Sequence, residues 1–199
     1  MLEVARPDHL DLVARIVRSG AASGSWDPGL AVPGPALDAL LAKLRHAFVH
    51  GFLPQVDRRT GQPIETHIAG YVYHLDRADP PSGFGLFKDF TATGYELWLV
   101  GMDEPFQGRG YGRAMVEELL ATPLGKRTEL ARCALASEGS RRCAHLLHAY
   151  GFASRRTLAS EEWLLHHRTP PEIVHLVMTM DMVPAPRGEA SGRSHTATR

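Results

Sequence analysis

Apolar residues change their period several times along the chain. Leu2 to Ala5 predict a short first strand. From Asp8 the rhythm becomes helical, with Leu12, Val13, Ile16 and Val17 on one face, Asp8 as the cap, Asp11 favouring the positive end and Gly20 as the stop. The stretch AASGSWDPGLAVPGP is a loop. Pro35 then opens a second helix with the stripe Leu37, Leu40, Leu41, Leu44 and Phe48. Two strand-like runs follow around the turn residues Asp57 to Gly61. Asp76 to Gly94 is rich in Pro and Gly and predicts a long loop, of the length usually reserved for function. A strand is expected from Tyr95 to Met102. Next comes a helix with Met115, Val116, Leu119 and Leu120 on one face, ended by Pro123 and Gly125. Beyond it the pattern predicts a strand over Cys133 to Ala136, a helix over Ser140 to Tyr150, and strands over Phe152 to Thr157 and His175 to Met182.

Hairpin strands followed by strand–helix alternation mean an α/β (α+β) domain around one central sheet. That domain is expected to fill residues 1–182, with 183–199 a tail too polar to pack and therefore disordered. The chain of 199 residues, 44% hydrophobic and 22% charged, is long enough to bury a core without staples. Lys and Arg balance Asp and Glu, which argues against a dedicated nucleic-acid binder. No run is apolar enough for a signal peptide or a membrane span, so a cytoplasmic protein without membrane contact is expected, as monomer or homodimer. Cys133 and Cys143 are expected as free thiols in a reducing compartment.

The chemistry concentrates after the strand Tyr95 to Met102. Gln107-Gly-Arg-Gly-Tyr-Gly-Arg113 places glycines at 108, 110 and 112 where a helix begins. Glycine admits positive φ and close ligand approach. A helix start offers unpaired N–H groups and partial positive charge, so the segment suits a phosphate, with Arg109 and Arg113 able to add charge-assisted contacts. It lacks the Gly-Lys-Ser/Thr of a Walker loop, and its glycine spacing fits a dinucleotide fingerprint poorly. Gly101, inside the preceding strand, predicts a bulge that would turn backbone groups toward an extended ligand. Coenzyme A has both a pyrophosphate and an amide-bearing arm.

Gln107 to Gly112 resembles the acetyl-CoA signature of the GNAT superfamily of N-acetyltransferases. Ser140 to Phe152, ending in Tyr-Gly-Phe, is similar to that superfamily's final helix. The resemblance implies a three-layer fold with a mixed, mostly antiparallel sheet, splayed between the strands ending at Met102 and Ala136 to hold acetyl-CoA. It implies that Val100, Gly101 and Met102 pair with the pantetheine arm, and that Gln107, Gly108, Arg109, Gly110, Tyr111, Gly112 and Arg113 wrap the pyrophosphate. Ser140 stands where the family usually has an Asn on the cofactor arm. Leu147 stands where it often has the Tyr that protonates the thiolate, with Tyr150 and His148 as neighbours that could substitute; Tyr150 also completes an apolar stripe with Cys143, Leu146 and Leu147.

Acetyl transfer needs a neutral amine, and an alkylammonium has a pKa of about 10.4. Glu96 is the candidate base, a lone carboxylate in the apolar run ELWLVGM, expected on the same face as Met102 by period-2 alternation. In the histone-acetylating branch that the resemblance evokes, a glutamate at this position is the general base and the Tyr is absent. Of the eleven histidines, His145 with His148 and His166 with His167 form pairs without a third ligand, so no metal site is expected. The acceptor stays open between a protein or peptide amine and a small amine, with Asp76 to Gly94 expected to shape its pocket. Two other readings stay open as well: an acyl-CoA-binding sensor without turnover, and a toxin-like enzyme that acetylates aminoacyl-tRNA.

Overall fold

The computed structural model describes residues 1–57, 60–134, 137–156 and 162–167, with backbone alone at 134, 154–156 and 162–167. The expected strand His175 to Met182 and the tail lie outside them. Strand β1 (Leu2–Val4) leads through a single 3-10 turn into α1 (Leu10–Ala22), and α2 (Pro35–His50) follows. Strands β2 (Phe52–Val56), β3 (Pro63–Tyr73), β4 (Gly83–Asp89) and β5 (Tyr95–Met102) come next. Helix α3 (Tyr111–Ala121), β6 (Thr128–Ala134), α4 (Glu138–Ala149), β7 (Phe152–Arg156) and β8 (Glu162–His167) complete the described order.

The sheet runs β1-β3-β4-β5-β6-β8-β7, and β2 extends it as a hairpin partner of β3. Every pairing is antiparallel except β5 with β6, where α3 makes the crossover that a parallel pair requires. Leu10, Val13, Ile16, Leu37 and Leu44 of α1 and α2 pack with Phe84 and Leu86 on one face. Met115, Leu119, Ala144 and Leu147 of α3 and α4 pack with Tyr73, Phe87 and Leu97 on the other. Three layers result, as the sequence suggested.

Several boundaries differ from expectation. Asp8 lies in a 3-10 turn, Pro7–His9, so α1 starts at Leu10 without a side-chain cap. Gly20 does not stop α1; a Cβ there would lie 2.5 Å from the Trp26 ring, which packs against that turn. Strand β6 begins at Thr128, five residues before Cys133, and β8 has no counterpart in the elements the pattern predicts.

The largest correction concerns Asp76 to Gly94. Seven of those residues form β4, a central strand, and Phe84 and Phe87 are fully buried core rather than loop. The segment is therefore not one long loop but a strand between two short connections, 76–82 and 90–94.

Strand β5 carries the second correction. Its register with β4 slips between Leu97 and Leu99, leaving Trp98 as the extra residue of a bulge, three positions before the glycine expected to make one. Gly101 sits in regular register opposite Phe84. It is glycine because α1 presses on it: a Cβ would overlap Ile16 Cγ2 and stand 3.1 Å from Trp26. Replacing Gly101 with Ala should cost about 1–3 kcal/mol through overpacking, readable as a lowered thermal midpoint.

The bulge also reverses the facing of β5. Leu97 faces α3 and α4, whereas Trp98 and Leu99 both pack with the α1–α2 cluster. Val100 and Met102 then return to the α3–α4 side. Glu96 and Met102 consequently lie on opposite faces, not on one.

Candidate functional site

Strands β5 and β6 stay paired for only three rungs, Tyr95 with Thr128, Glu96 with Leu130 and Leu97 with Ala131. Past Leu97 the two strands part. Val100, Gly101 and Met102 keep β4 as their partner on one side and have no strand partner on the β6 side among the described residues. This is the expected opening in the sheet, bounded on one side by backbone free to pair with an extended ligand.

The loop leaving β5 is tied down at each step. Asp103 N–H donates to Ser82 O at 2.8 Å, and its carboxylate accepts from Glu104 N–H at 3.1 Å and from Arg15 Nη2 of α1 at 2.8 Å. Gln107 Nε2 donates to Met102 O at 2.8 Å. Its side chain thus braces the loop against the end of β5.

Gly108 and Gly110 take φ of 74° and 85°, conformations that side-chain-bearing residues rarely adopt. Gly112 has ordinary helical φ, so its backbone would accept any residue. A Cβ at 108, 110 or 112 would meet no protein atom within 4 Å. The three glycines therefore surround open space rather than a packed neighbour. The N–H groups of residues 108–112 have no backbone partner among the described residues, and the first turn of α3 adds its dipole. Such a cradle of amides fits a pyrophosphate.

Arg109 is exposed beside that space. Arg113 instead bonds Glu117 at 2.8 Å. Arg113 and the Tyr150 hydroxyl both bond the Glu117 carboxylate, which lowers its pKa below the ordinary carboxylate range, and the same contact raises that of Tyr150. Tyr150 is more than a third exposed, so it is a surface group held by Glu117 rather than part of the α4 stripe. His148 Nδ1 lies 2.8 Å from Phe152 O.

Leu147 is fully buried among Met115, Leu119 and Phe152. Leu147→Tyr is therefore expected to destabilise by about 1–3 kcal/mol without raising turnover, because a thiol with an ordinary pKa of about 8.5 leaves without much help. Thermal denaturation and turnover measured side by side check both halves.

Ser140 lies in the first turn of α4, its N–H 3.3 Å from the capping Ser137 Oγ. Ser137 Oγ also meets Ser25 Oγ at 2.5 Å, which ties the loop after α1 to the start of α4. Cys133 and Cys143 are not joined in a disulfide. No group of three or more His, Cys, Asp and Glu side chains is placed to share a metal ion among the described residues. No helix among them is long and apolar enough to cross a membrane.

Glu96 is almost fully buried, and it is not alone. Oε2 lies 2.8 Å from Lys88 Nζ and Oε1 3.0 Å from Arg132 Nε. Lys88 also lies over the Trp98 ring, 5.4 Å from its centroid. These partners are hidden from a reading of the sequence because Lys88 falls in the expected loop and Arg132 ahead of the expected strand.

No family model and no curated protein matches the sequence. Solved structures do match the fold. An acetyltransferase from Thermus thermophilus is 17% identical with a TM-score of 0.56 over 83% of this chain and 95% of that one. A ribosomal-protein-alanine N-acetyltransferase from Brucella melitensis is 16% identical, TM-score 0.55, over 83% and 96%. A spermidine N-acetyltransferase from Vibrio cholerae, solved with CoA and spermine, is 14% identical, TM-score 0.54, over 83% and 91%. The chain has the fold of the GNAT N-acetyltransferases.

Proposed function

We propose that this protein is an acetyl-CoA-dependent N-acetyltransferase. One observation carries the reading: amides around Gly108, Gly110 and Gly112 that face open space, continuous with the unpaired edge of β5 past Leu97. A ligand with a pyrophosphate at one end and an amide-bearing arm at the other satisfies both. Residues 107–113 would hold the pyrophosphate by backbone, with Arg109 adding charge. Val100, Gly101 and Met102 would pair with the arm, and Ser140 at the first turn of α4 would border it. The bound thioester supplies the acetyl group, which a neutral amine takes by direct attack.

Glu96 is the proposed proton acceptor. Lys88 and Arg132 occupy one lone pair on each of its oxygens and fix its orientation, leaving others for a water that carries the proton from the amine. Two cysteines that stay reduced support a cytoplasmic setting.

Calorimetry with coenzyme A and a screen of primary amines, followed by thiol release from acetyl-CoA, tests the proposal. Binding with turnover of at least one amine is expected. A folded protein that fails to bind coenzyme A overturns it.

A further inference from the structure

We infer that the acceptor carries a carboxylate near its amine, and that Arg132 is the residue that selects it. The inference rests on the acetyltransferase reading and extends it to the acceptor's chemical class.

The face of approach follows from packing. On one side of the sheet, α3 and α4 fill the space over β5 and β6 with Met115, Leu119, Ala144 and Leu147. On the other side, Ile16 and Trp26 close over Gly101. On the α1–α2 face, the observed exposure where the strands part is that of Arg132. Arg132 is the first β6 residue beyond the last rung, and its side chain is 47% exposed. An amine that meets a thioester lying in the opening passes this group.

The charges there do not cancel. Lys88 and Arg132 share one carboxylate, so the cluster keeps one positive charge in excess. Arg132 spends Nε on Glu96, while its terminal Nη groups have no partner among the described residues. Those two nitrogens form a planar donor pair matched to a carboxylate. Glu96 buttresses the guanidinium from behind, which lowers the ordering cost of using it.

The same excess charge disfavours a second ammonium near the reacting amine. It favours the neutral form of the amine itself, because a nearby like charge lowers an amine's pKa. A zwitterionic acceptor offsets the cluster, whereas a polyamine adds to it.

The test uses the full chain saturated with acetyl-CoA and acceptor pairs that differ only in the carboxylate. Phenylalanine with phenethylamine and 4-aminobutyrate with propylamine are such pairs, and spermidine serves as the polycation. Wild-type kcat/KM is expected to favour the carboxylated member of at least one pair by about ten- to a hundredfold, with spermidine a poor acceptor. Arg132→Gln also loosens Glu96, so it should lower kcat for both members of each pair, and it should erase the preference between them through KM; Arg132→Lys, which keeps a cation on Glu96, should retain part of it. Coenzyme A affinity should not change in either.

Equal or better use of the decarboxylated members by the wild type overturns the inference without needing a variant. A preference that survives Arg132→Gln overturns it too. If the wild type binds no coenzyme A, the acetyltransferase reading falls first and takes the inference with it.

Discussion

Glu96→Gln is expected to lower kcat/KM by about 10²–10⁴ near neutral pH while leaving coenzyme A affinity unchanged, the usual worth of a general base. Gln keeps the shape of the side chain and one oxygen, and loses the capacity to take a proton. The deficit should shrink as pH rises toward the acceptor's own pKa, because a neutral amine no longer needs a base. Two charge-assisted bonds to a buried group also weaken, at an expected cost of about 1.5–3 kcal/mol, so rates belong well below the thermal midpoint of the variant. Wild-type kcat/KM for the variant between about pH 6 and 9 would show that the proton leaves by another route. A sensor without turnover would bind coenzyme A equally in both proteins and acetylate nothing.

Gly110→Asp should weaken coenzyme A binding by at least about a hundredfold. Two unit charges about 4 Å apart near a protein surface repel by about 4 kcal/mol. Gly110 lies at φ 85° with nothing within 4 Å of its Cβ position, so the carboxylate would enter the space assigned to the pyrophosphate. Gly112→Ala separates ligand contact from strain. At ordinary helical φ, alanine there should leave folding unharmed or raise stability by up to about 1 kcal/mol, yet still reduce affinity if the ligand approaches that backbone. Unchanged calorimetric affinity in folded Gly110→Asp would remove the site from this loop.

The sequence revealed what is set locally. Positive φ at Gly108 and Gly110 and the start of α3 are written in the residues that adopt them, and β5 runs from Tyr95 to Met102 as its apolar run predicts. It concealed what distant neighbours impose. Gly83 and Gly85 read as loop, but they are glycine because α3 presses on the middle of the sheet: a Cβ at Gly83 would lie 2.6 Å from Met115 Sδ, and one at Gly85 would overlap Leu119. With β4 hidden, so was Lys88 as a partner of Glu96, and so was the register slip at Trp98. No spacing rule within β5 could show that its two halves face opposite ways.

That extra residue makes the effect of a change of length in β5 depend on where it falls. Losing Trp98 itself would restore strict alternation and leave Leu97, Val100 and Met102 toward α3 and α4 and Gly101 under Ile16 and Trp26. Losing Val100 instead would move Gly101 to the α3–α4 side, where its missing side chain would leave a hole, and turn Met102 toward Ile16 and Trp26. A deletion at Trp98 costs one side chain, whereas one past it would demand compensating change at Gly101 and Met102 together, and in the α1 surface that now closes over the glycine. The strand can therefore shorten by a residue at the bulge, and a change of length nearer the loop meets a barrier that no single further mutation lifts.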